Sequence, residues 1–149
     1  MAQNRPGETA LIYRFADSGD AGPAAQIAAG LSRDVAAANP QPLVLAAEDD
    51  AGSLAGGLTG IIHWRWLYIR QFWVAPARRG QGIGRRLLEQ AEARALFLDC
   101  VGVYLDTFDE GAAQFYEKCG FEVCGAIGNF PPGGRRIFLS KPLGFTRQG

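Results

Sequence analysis

The stretch that most constrains this chain is Trp73-Val74-Ala75-Pro76-Ala77-Arg78-Arg79-Gly80-Gln81-Gly82-Ile83-Gly84-Arg85-Arg86. A strand-like apolar run ends, Pro76 breaks it, and a pattern of helical period begins. From Ile83 to Leu98 the apolar positions Ile83, Leu87, Leu88, Ala91, Ala95 and Leu98 share one face, while Arg85, Arg86, Glu89, Glu92 and Arg94 face away. Between strand and helix, Gly80, Gly82 and Gly84 alternate. Glycine lets backbone amides approach a ligand with no Cβ in the way. The first amides of a helix lack internal partners and carry partial positive charge. Such a turn is an anion cradle suited to phosphate or pyrophosphate. Arg78, Arg79, Arg85 and Arg86 crowd the same positive helix end. Each is unfavourable there by up to ~1 kcal/mol unless an anion compensates, so four together point to a multiply charged ligand.

Other phosphate motifs fit this turn less well. A dinucleotide fingerprint starting at Gly80 needs glycine where Arg85 stands, and one starting at Gly82 needs glycine where Leu87 stands. A Walker loop needs Gly-Lys-Ser/Thr at its end, and no such triplet follows.

The surrounding pattern predicts a mixed-sheet α/β domain with helices on both faces. Strands are expected over Thr9–Arg14, Leu43–Glu48, Gly56–Trp66, Leu67–Val74, Val101–Leu105, Phe121–Ala126 and Arg136–Ser140, about seven in all. The Ala-rich stretch Gly19–Asn39 reads as one or two helices stopped by Pro40 and Pro42, and Gly111–Lys118 as a short helix closed by Cys119-Gly120. Links between the second, third and fourth strands are too short for crossovers, so these form an antiparallel meander. The helix from Ile83 then carries the chain to a parallel pairing of its flanking strands. With 149 residues, no internal repeat and no long linker, the whole of 1–149 reads as a single domain.

Composition excludes several function classes. Lys+Arg and Asp+Glu are both 15, and this balance gives no general pull toward nucleic acid or anionic membrane. No apolar run reaches the roughly 20 residues that span a bilayer, and Met1–Phe15 lacks the apolar core of a secretory signal. Three cysteines without a CxxC pair suit a reducing compartment, so a cytoplasmic location is expected. A single histidine, His63, makes a His/Cys metal site unexpected.

These residues resemble the GNAT superfamily of N-acetyltransferases. The family carries an Arg/Gln-x-x-Gly-x-Gly/Ala signature between a strand and a helix, here Arg79-Gly80-Gln81-Gly82-Ile83-Gly84 with Val74-Ala75-Pro76 ahead of it. A second block, Phe115-Tyr116-Glu117-Lys118-Cys119-Gly120-Phe121, looks like the family's FYEKxGF segment and lies about 35 residues further on. Trp66-Leu67-Tyr68-Ile69, Leu105-Asp106-Thr107 and Asn129-Phe130-Pro131-Pro132-Gly133 look like a bacterial subgroup without a defined substrate. The resemblance implies a GNAT-like acyl-CoA N-acyltransferase fold that moves an acetyl group from acetyl-CoA to a primary amine in a ternary complex. The acceptor is a small molecule or peptide. Homodimers, which are frequent among relatives, are also an expectation.

By the same resemblance, backbone groups of Arg79, Gly80, Gln81, Gly82, Ile83 and Gly84, with Arg85 beside them, would hold the coenzyme A pyrophosphate. Phe72, Trp73 and Val74 would splay from the next parallel strand near Val103–Leu105 and receive the pantetheine arm, with Tyr116 near the thioester sulfur. Many relatives have asparagine near Asp109, contacting that arm.

Acetyl transfer needs a neutral amine, donors for the developing oxyanion, and a proton or hydrogen bond for the leaving thiolate. A backbone N–H near Val74 is a candidate oxyanion donor, and the Tyr116 hydroxyl is the candidate proton donor. Many relatives carry a base glutamate on the strand before the signature, but Leu67–Val74 contains no carboxylate. Asp106, ending a strand near the sheet's C-terminal edge, is the first alternative, with Glu48, Glu110 or a water chain behind it. His63 between strand aromatics reads as a packed or surface residue. Among Trp64, Trp66, Tyr68, Phe72 and Trp73, alternation assigns most to the core and one or two to the acceptor pocket wall. A coenzyme A-binding sensor without turnover, and a nucleotide-binding module using the same turn, are the alternative readings.

Overall fold

The computed structural model of the chain describes residues 10–34 and 39–144. The chain divides into two units, Met1–Ala37 and Ala38–Gly149. The first holds helix α1, Ala21–Asp34, with Pro23 in its first turn, where a missing N–H costs nothing. It covers part of the helix expected over Gly19–Asn39; residues 35–38 lie outside the described set and Asn39 is not helical. The strand expected over Thr9–Arg14 is not formed by residues 10–14, and Thr9 lies outside the described residues. Leu11, Ile12 and Tyr13 are exposed there. A short apolar run becomes a strand only when a neighbour takes its backbone hydrogen bonds, and composition cannot supply that neighbour.

The second unit is built on a six-stranded sheet in the order β1-β2-β3-β4-β6-β5, so the described residues carry six strands and not about seven. The strands are β1 Gln41–Glu48, β2 Leu54–His63, β3 Trp66–Val74, β4 Gly102–Thr107, β5 Glu122–Gly128 and β6 Arg135–Pro142. β1, β2 and β3 form the expected antiparallel meander. Helix α2, Ile83–Phe97, carries the chain from β3 to a parallel pairing with β4. Helix α3, Glu110–Lys118, then leads to β5. Its first turn is capped by the Asp109 carboxylate, which accepts from the Ala112 N–H at 2.8 Å.

The β2–β3 reversal falls at Trp64-Arg65, two residues before the expected break at Trp66/Leu67. Their φ values of 48° and 64° are those of a two-residue hairpin loop that normally uses Asn-Gly. Trp and Arg carry no turn signal, so the position was not readable from residue type. It is anchored from outside: Arg65 Nε donates to the Asp99 carbonyl at 2.9 Å.

One core joins sheet and helices. Leu87, Leu88, Ala91 and Ala95 of α2, and Ala113 and Tyr116 of α3, pack with Leu67, Ile69, Val103, Leu105, Ile137 and Leu139 of the central strands. These strand residues alternate along β3, β4 and β6, so both helices of this unit cover the same face. On the other face, Tyr68 stacks on Tyr104 at 4.7 Å between ring centroids. Asp106 follows two residues further along β4.

Two features open the sheet in the middle. The parallel pairing runs from Trp66 opposite Gly102 to Ile69 opposite Leu105, and stops there. Immediately afterwards β3 carries one extra residue: Thr59 pairs with Gln71 and Gly60 with Ile69, leaving Arg70 as a bulge. A bulge bends its strand and sharpens the local twist. From Arg70 to Val74, β3 therefore stays with β2 and leaves β4, opening a gap beside it.

Candidate active site

The gap leads into a cavity of about 640 Å³. The end of β3 supplies Phe72, Trp73 and Val74, and the turn supplies Arg79, Gly80 and Gly82. Helix α2 adds Ile83, Gly84 and Arg85, and α3 adds Tyr116. These ten are all sequence-predicted site residues. Of the other two, Gln81 is exposed outside the lining and Asp106 lies on the opposite face of β4 from the core residues Val103 and Leu105. A second cavity, about 690 Å³, lies between β1 and α2 around Leu43, Leu45 and Leu98. It lacks the unpaired amides described next.

The turn is a row of unsatisfied donors. Among the described residues, the backbone N–H groups from Gly80 to Arg85 have no acceptor, and the first amide of α2 that finds one is Arg86, bonded to the Gly82 carbonyl at 3.1 Å. Four unpaired amides are expected at any helix start; here Gly80 and Gln81 extend the row to six. Gly80 and Gly82 have φ of 78° and 81°, and a Cβ at either would meet no protein atom within 4 Å. The left-handed backbone thus turns the amides toward open space, where glycine leaves room for an anion.

The four arginines are not equivalent. Arg78 lies 3.4 Å from the Asp49 carboxylate, and Arg79 Nε donates to the Val74 carbonyl at 3.0 Å, tying the turn to the strand end. Arg85 lines the cavity and Arg86 does not; neither has a carboxylate partner among the described residues. Of the four arginines expected to await an anion, Arg85 alone both lines the cavity and lacks a carboxylate or carbonyl partner for its side chain among the described residues; Arg78 and Arg79 line it with partners of their own, and Arg86 lies outside the lining.

Tyr116 is 7% exposed. Its ring meets Phe72 at 5.9 Å and Phe121 at 6.0 Å, both edge to face. Burial, with smaller contributions from Cys119 and Asp106, pushes its pKa up to about 12, so the hydroxyl keeps its proton at any ordinary pH.

The family model described as the Acetyltransferase (GNAT) family matches residues 12–121. The chain belongs to this family of acetyltransferases. It is 40% identical over 95 residues to the blasticidin-S acetyltransferase of Streptomyces morookaense, covering 63% of this chain and 70% of that one. A crystal structure from Agrobacterium tumefaciens, assigned as an acetyltransferase, superposes with a TM-score of 0.76 at 29% identity, over 91% of this chain and all of that one. A structure from Bacillus anthracis assigned as a streptothricin acetyltransferase, in complex with acetyl coenzyme A, matches with a TM-score of 0.63 at 25% identity, over 70% and 64% of the two chains.

In this acetyltransferase, Asp106 lies one residue past Leu105, the last β4 residue paired with β3. The Tyr68 hydroxyl donates to Asp106 Oδ1 at 2.6 Å, and Arg136 Nε donates to Oδ2 at 2.7 Å. Burial works against the charged carboxylate, but the bonds from Arg136 and Tyr68 outweigh it and hold the Asp106 pKa below the usual carboxylate value. Burial and the bond to Asp106 move Tyr68 the other way, above the ordinary tyrosine value. Of the remaining base candidates, Glu110 is bonded to Arg135 at 2.7 Å and Glu48 is exposed at the end of β1. His63 lies at the hairpin end of the sheet, its ring tilted by 41° against that of Trp64 with the centroids 4.2 Å apart. The length of β3, roughly 25 Å at 3.3 Å per residue, separates it from Val74.

The cavity is also lined by Arg78, which the sequence placed among the four arginines of this turn, by Asp109, expected near the cofactor arm, and by Ala112 and Phe115, to which the sequence assigned no site role. Asp109 spends its carboxylate on the helix cap. An Asp ahead of a helical run signals such a cap, but its place on this cavity follows from the approach of α3 to α2. Among the described residues no His, Cys, Asp and Glu side chains group as metal ligands, and no helix is long and apolar enough to cross a membrane.

Proposed function

We propose that this chain transfers the acetyl group of acetyl-CoA to a primary amine by direct attack in a ternary complex. The observation that carries this reading is the row of six unpaired amides from Gly80 to Arg85 at the mouth of the gap beside β3. The acetyl-CoA bound in the Bacillus anthracis relative supports the choice of donor. The residues fit such a donor: the amides and Arg85 would hold its diphosphate, and the unpaired edge of β3 at Phe72–Val74 would receive its amide-containing arm. Bound there, acetyl-CoA supplies an acetyl group activated as a thioester.

Tyr116 is the group we assign to the sulfur. A thiol has a reference pKa near 8.5, about 3.5 units below that of Tyr116, so complete proton transfer would cost roughly 5 kcal/mol. Tyr116 therefore acts as a hydrogen-bond donor to the departing sulfur, and the proton lost by the amine satisfies the thiolate afterwards.

No side chain here is a tuned base. Asp106 and Glu110 each bind an arginine, which makes them weaker bases than a free carboxylate. We assign Asp106 to holding Tyr68 and Arg136 in place, and leave proton removal from the amine to water. The whole of 1–149 acting as one domain, a cytoplasmic location and a homodimer remain part of the same proposal.

The test is to incubate the protein with acetyl-CoA and a panel of primary amines, and to follow free thiol with binding of coenzyme A measured in parallel. Amine-dependent thiol release is expected. Tight coenzyme binding with no release on any amine would leave a binding module in place of an enzyme.

A further inference from the structure

On the same reading, we propose that the amine acceptor carries a flat, uncharged ring, seated against Phe108 and Phe130 beside the donor cavity. A cavity of about 550 Å³ is lined by Phe108, Asn129, Phe130, Pro131 and Pro132. Consecutive residues border the two cavities, Phe108 this one and Asp109 the donor cavity. Asp106, at the point where β3 and β4 part, precedes Phe108 by two residues.

The wall is held from behind. The Arg136 guanidinium lies 5.6 Å from the Phe108 ring centroid and 5.1 Å from that of Phe130, and Asp106 fixes Arg136 at 2.7 Å. The loop is closed on itself. The Asn129 N–H donates to the Gly134 carbonyl at 2.8 Å, the Gly134 N–H to the Pro131 carbonyl at 2.8 Å, and the Gly133 N–H to Asn129 Oδ1 at 2.9 Å. Arg135 and Glu110, bonded at 2.7 Å, clamp its far end to α3. Phe108 and Phe130 nevertheless remain 53% and 39% exposed, so a fixed pair of rings, 5.6 Å apart at their centroids, faces open space.

Charge decides the class of occupant. A polyamine or an aminoglycoside needs free carboxylates to receive its extra ammonium groups. Of the carboxylates that flank Phe108 in the chain, Asp106 and Glu110 are already bound to Arg136 and Arg135, and Asp109 caps α3. The one polar side chain lining the cavity, Asn129, has its oxygen engaged by Gly133. What remains on offer is the Asn129 side-chain NH2 and four rings, two aromatic and two proline, which suit a stacked ring with a hydrogen-bond acceptor at its edge.

The experiment compares phenethylamine with ethylamine as acceptors in the parent, Phe108→Ala and Phe130→Ala, with coenzyme A affinity measured for each. We expect kcat/KM in the parent to favour phenethylamine at least tenfold. That preference should fall to within about threefold in Phe130→Ala, with coenzyme A affinity unchanged; Phe130→Leu, which keeps bulk without a ring, should fall between. Equal use of the two amines by the parent, or a preference that survives both alanine variants, overturns the ring subsite while leaving the donor assignment standing. A parent that does not bind coenzyme A overturns the donor assignment itself. Saturation-transfer NMR of phenethylamine on the coenzyme complex reads the subsite without turnover, and absence of binding there also overturns it.

Discussion

Gly84 of α2 lies so close to Phe72 of β3 that a Cβ on the glycine would stand 3.2 Å from the ring's Cζ, and equally close to Cζ of Phe115. This contact brings the helix start, the end of the splayed strand and α3 to one point, whereas a Cβ on Gly82, two residues earlier, would meet nothing within 4 Å. Within one signature, one glycine serves packing and the other leaves space for a ligand. Gly84→Ala should therefore push Phe72 or Phe115 by a few tenths of an ångström. Overpacking costs roughly 1–3 kcal/mol and the better helix propensity of alanine returns about 1. Stability should fall by no more than ~2 kcal/mol, with coenzyme affinity weakened several-fold. Denaturant unfolding and calorimetric titration read the two effects separately.

Gly82→Val should behave differently. A β-branched residue at φ 81° costs on the order of 1–3 kcal/mol in backbone strain, and its side chain would fill the space in front of the amides. Coenzyme A affinity should drop more than a hundredfold in a protein that still unfolds cooperatively. If that variant binds as tightly as the parent, the amides of residues 80–85 are not the diphosphate site.

Tyr116→Phe should lower turnover on the order of a hundredfold while leaving coenzyme affinity nearly unchanged. Unaltered turnover would remove the hydroxyl from the reaction. The same residue predicts alkaline sensitivity. In the unfolded chain it ionises near 10, and in the folded protein near 12. Between those values the folded state holds more protons than the unfolded one, so stability falls as pH rises. The loss approaches roughly 2–3 kcal/mol by pH 12, and Tyr116→Phe should lack this component in alkaline unfolding curves.

With no tuned carboxylate, kcat/KM for an alkylamine should rise with unit slope in a log plot from pH 6 to 9, following the neutral amine. Tyr116, protonated throughout, adds no falling limb. Asp106→Asn should keep that slope even if the rate falls. An inflection between pH 5 and 8 in the parent that disappears in Asp106→Asn would make Asp106 a base after all.

Asp106 also sets an acid limit. Its folded pKa is held below the unfolded value, so its contribution is present above about pH 4 and is lost as pH falls through the folded pKa. Asp106→Asn leaves the Arg136 guanidinium half-buried without a counter-charge, and should cost about 1–3 kcal/mol at pH 7. The difference from the parent should shrink toward pH 2 in urea titrations.

A structural control lies at the closed end of the parallel pair. The Trp66 ring packs over Gly102 so tightly that a Cβ there would overlap ring carbons. Gly102→Ala should destabilise the fold by ~2 kcal/mol or more, a larger effect than Gly84→Ala, with no specific effect on coenzyme affinity once folded.

The amino-acid sequence determined what depends on neighbours along the chain. The glycine alternation at 80, 82 and 84, the apolar stripe of α2 and the short links of the meander each act over a few residues, and residue type reports them directly. Tertiary structure alone decided which partners meet across the fold. Arg78 and Arg79 are spent on Asp49 and Val74, Asp106 is neutralised by an arginine 30 residues away, and β3 turns from β4 at a bulge on Arg70 that nothing in that residue announces. The hairpin at Trp64-Arg65 is held by Asp99 despite unsuitable residues, and the apolar run at residues 10–14 forms no strand. Local conformation follows from sterics and hydrogen bonding within a turn or two. The charge state of a side chain, or the pairing of a strand, follows from whichever distant group packing brings within about 3 Å.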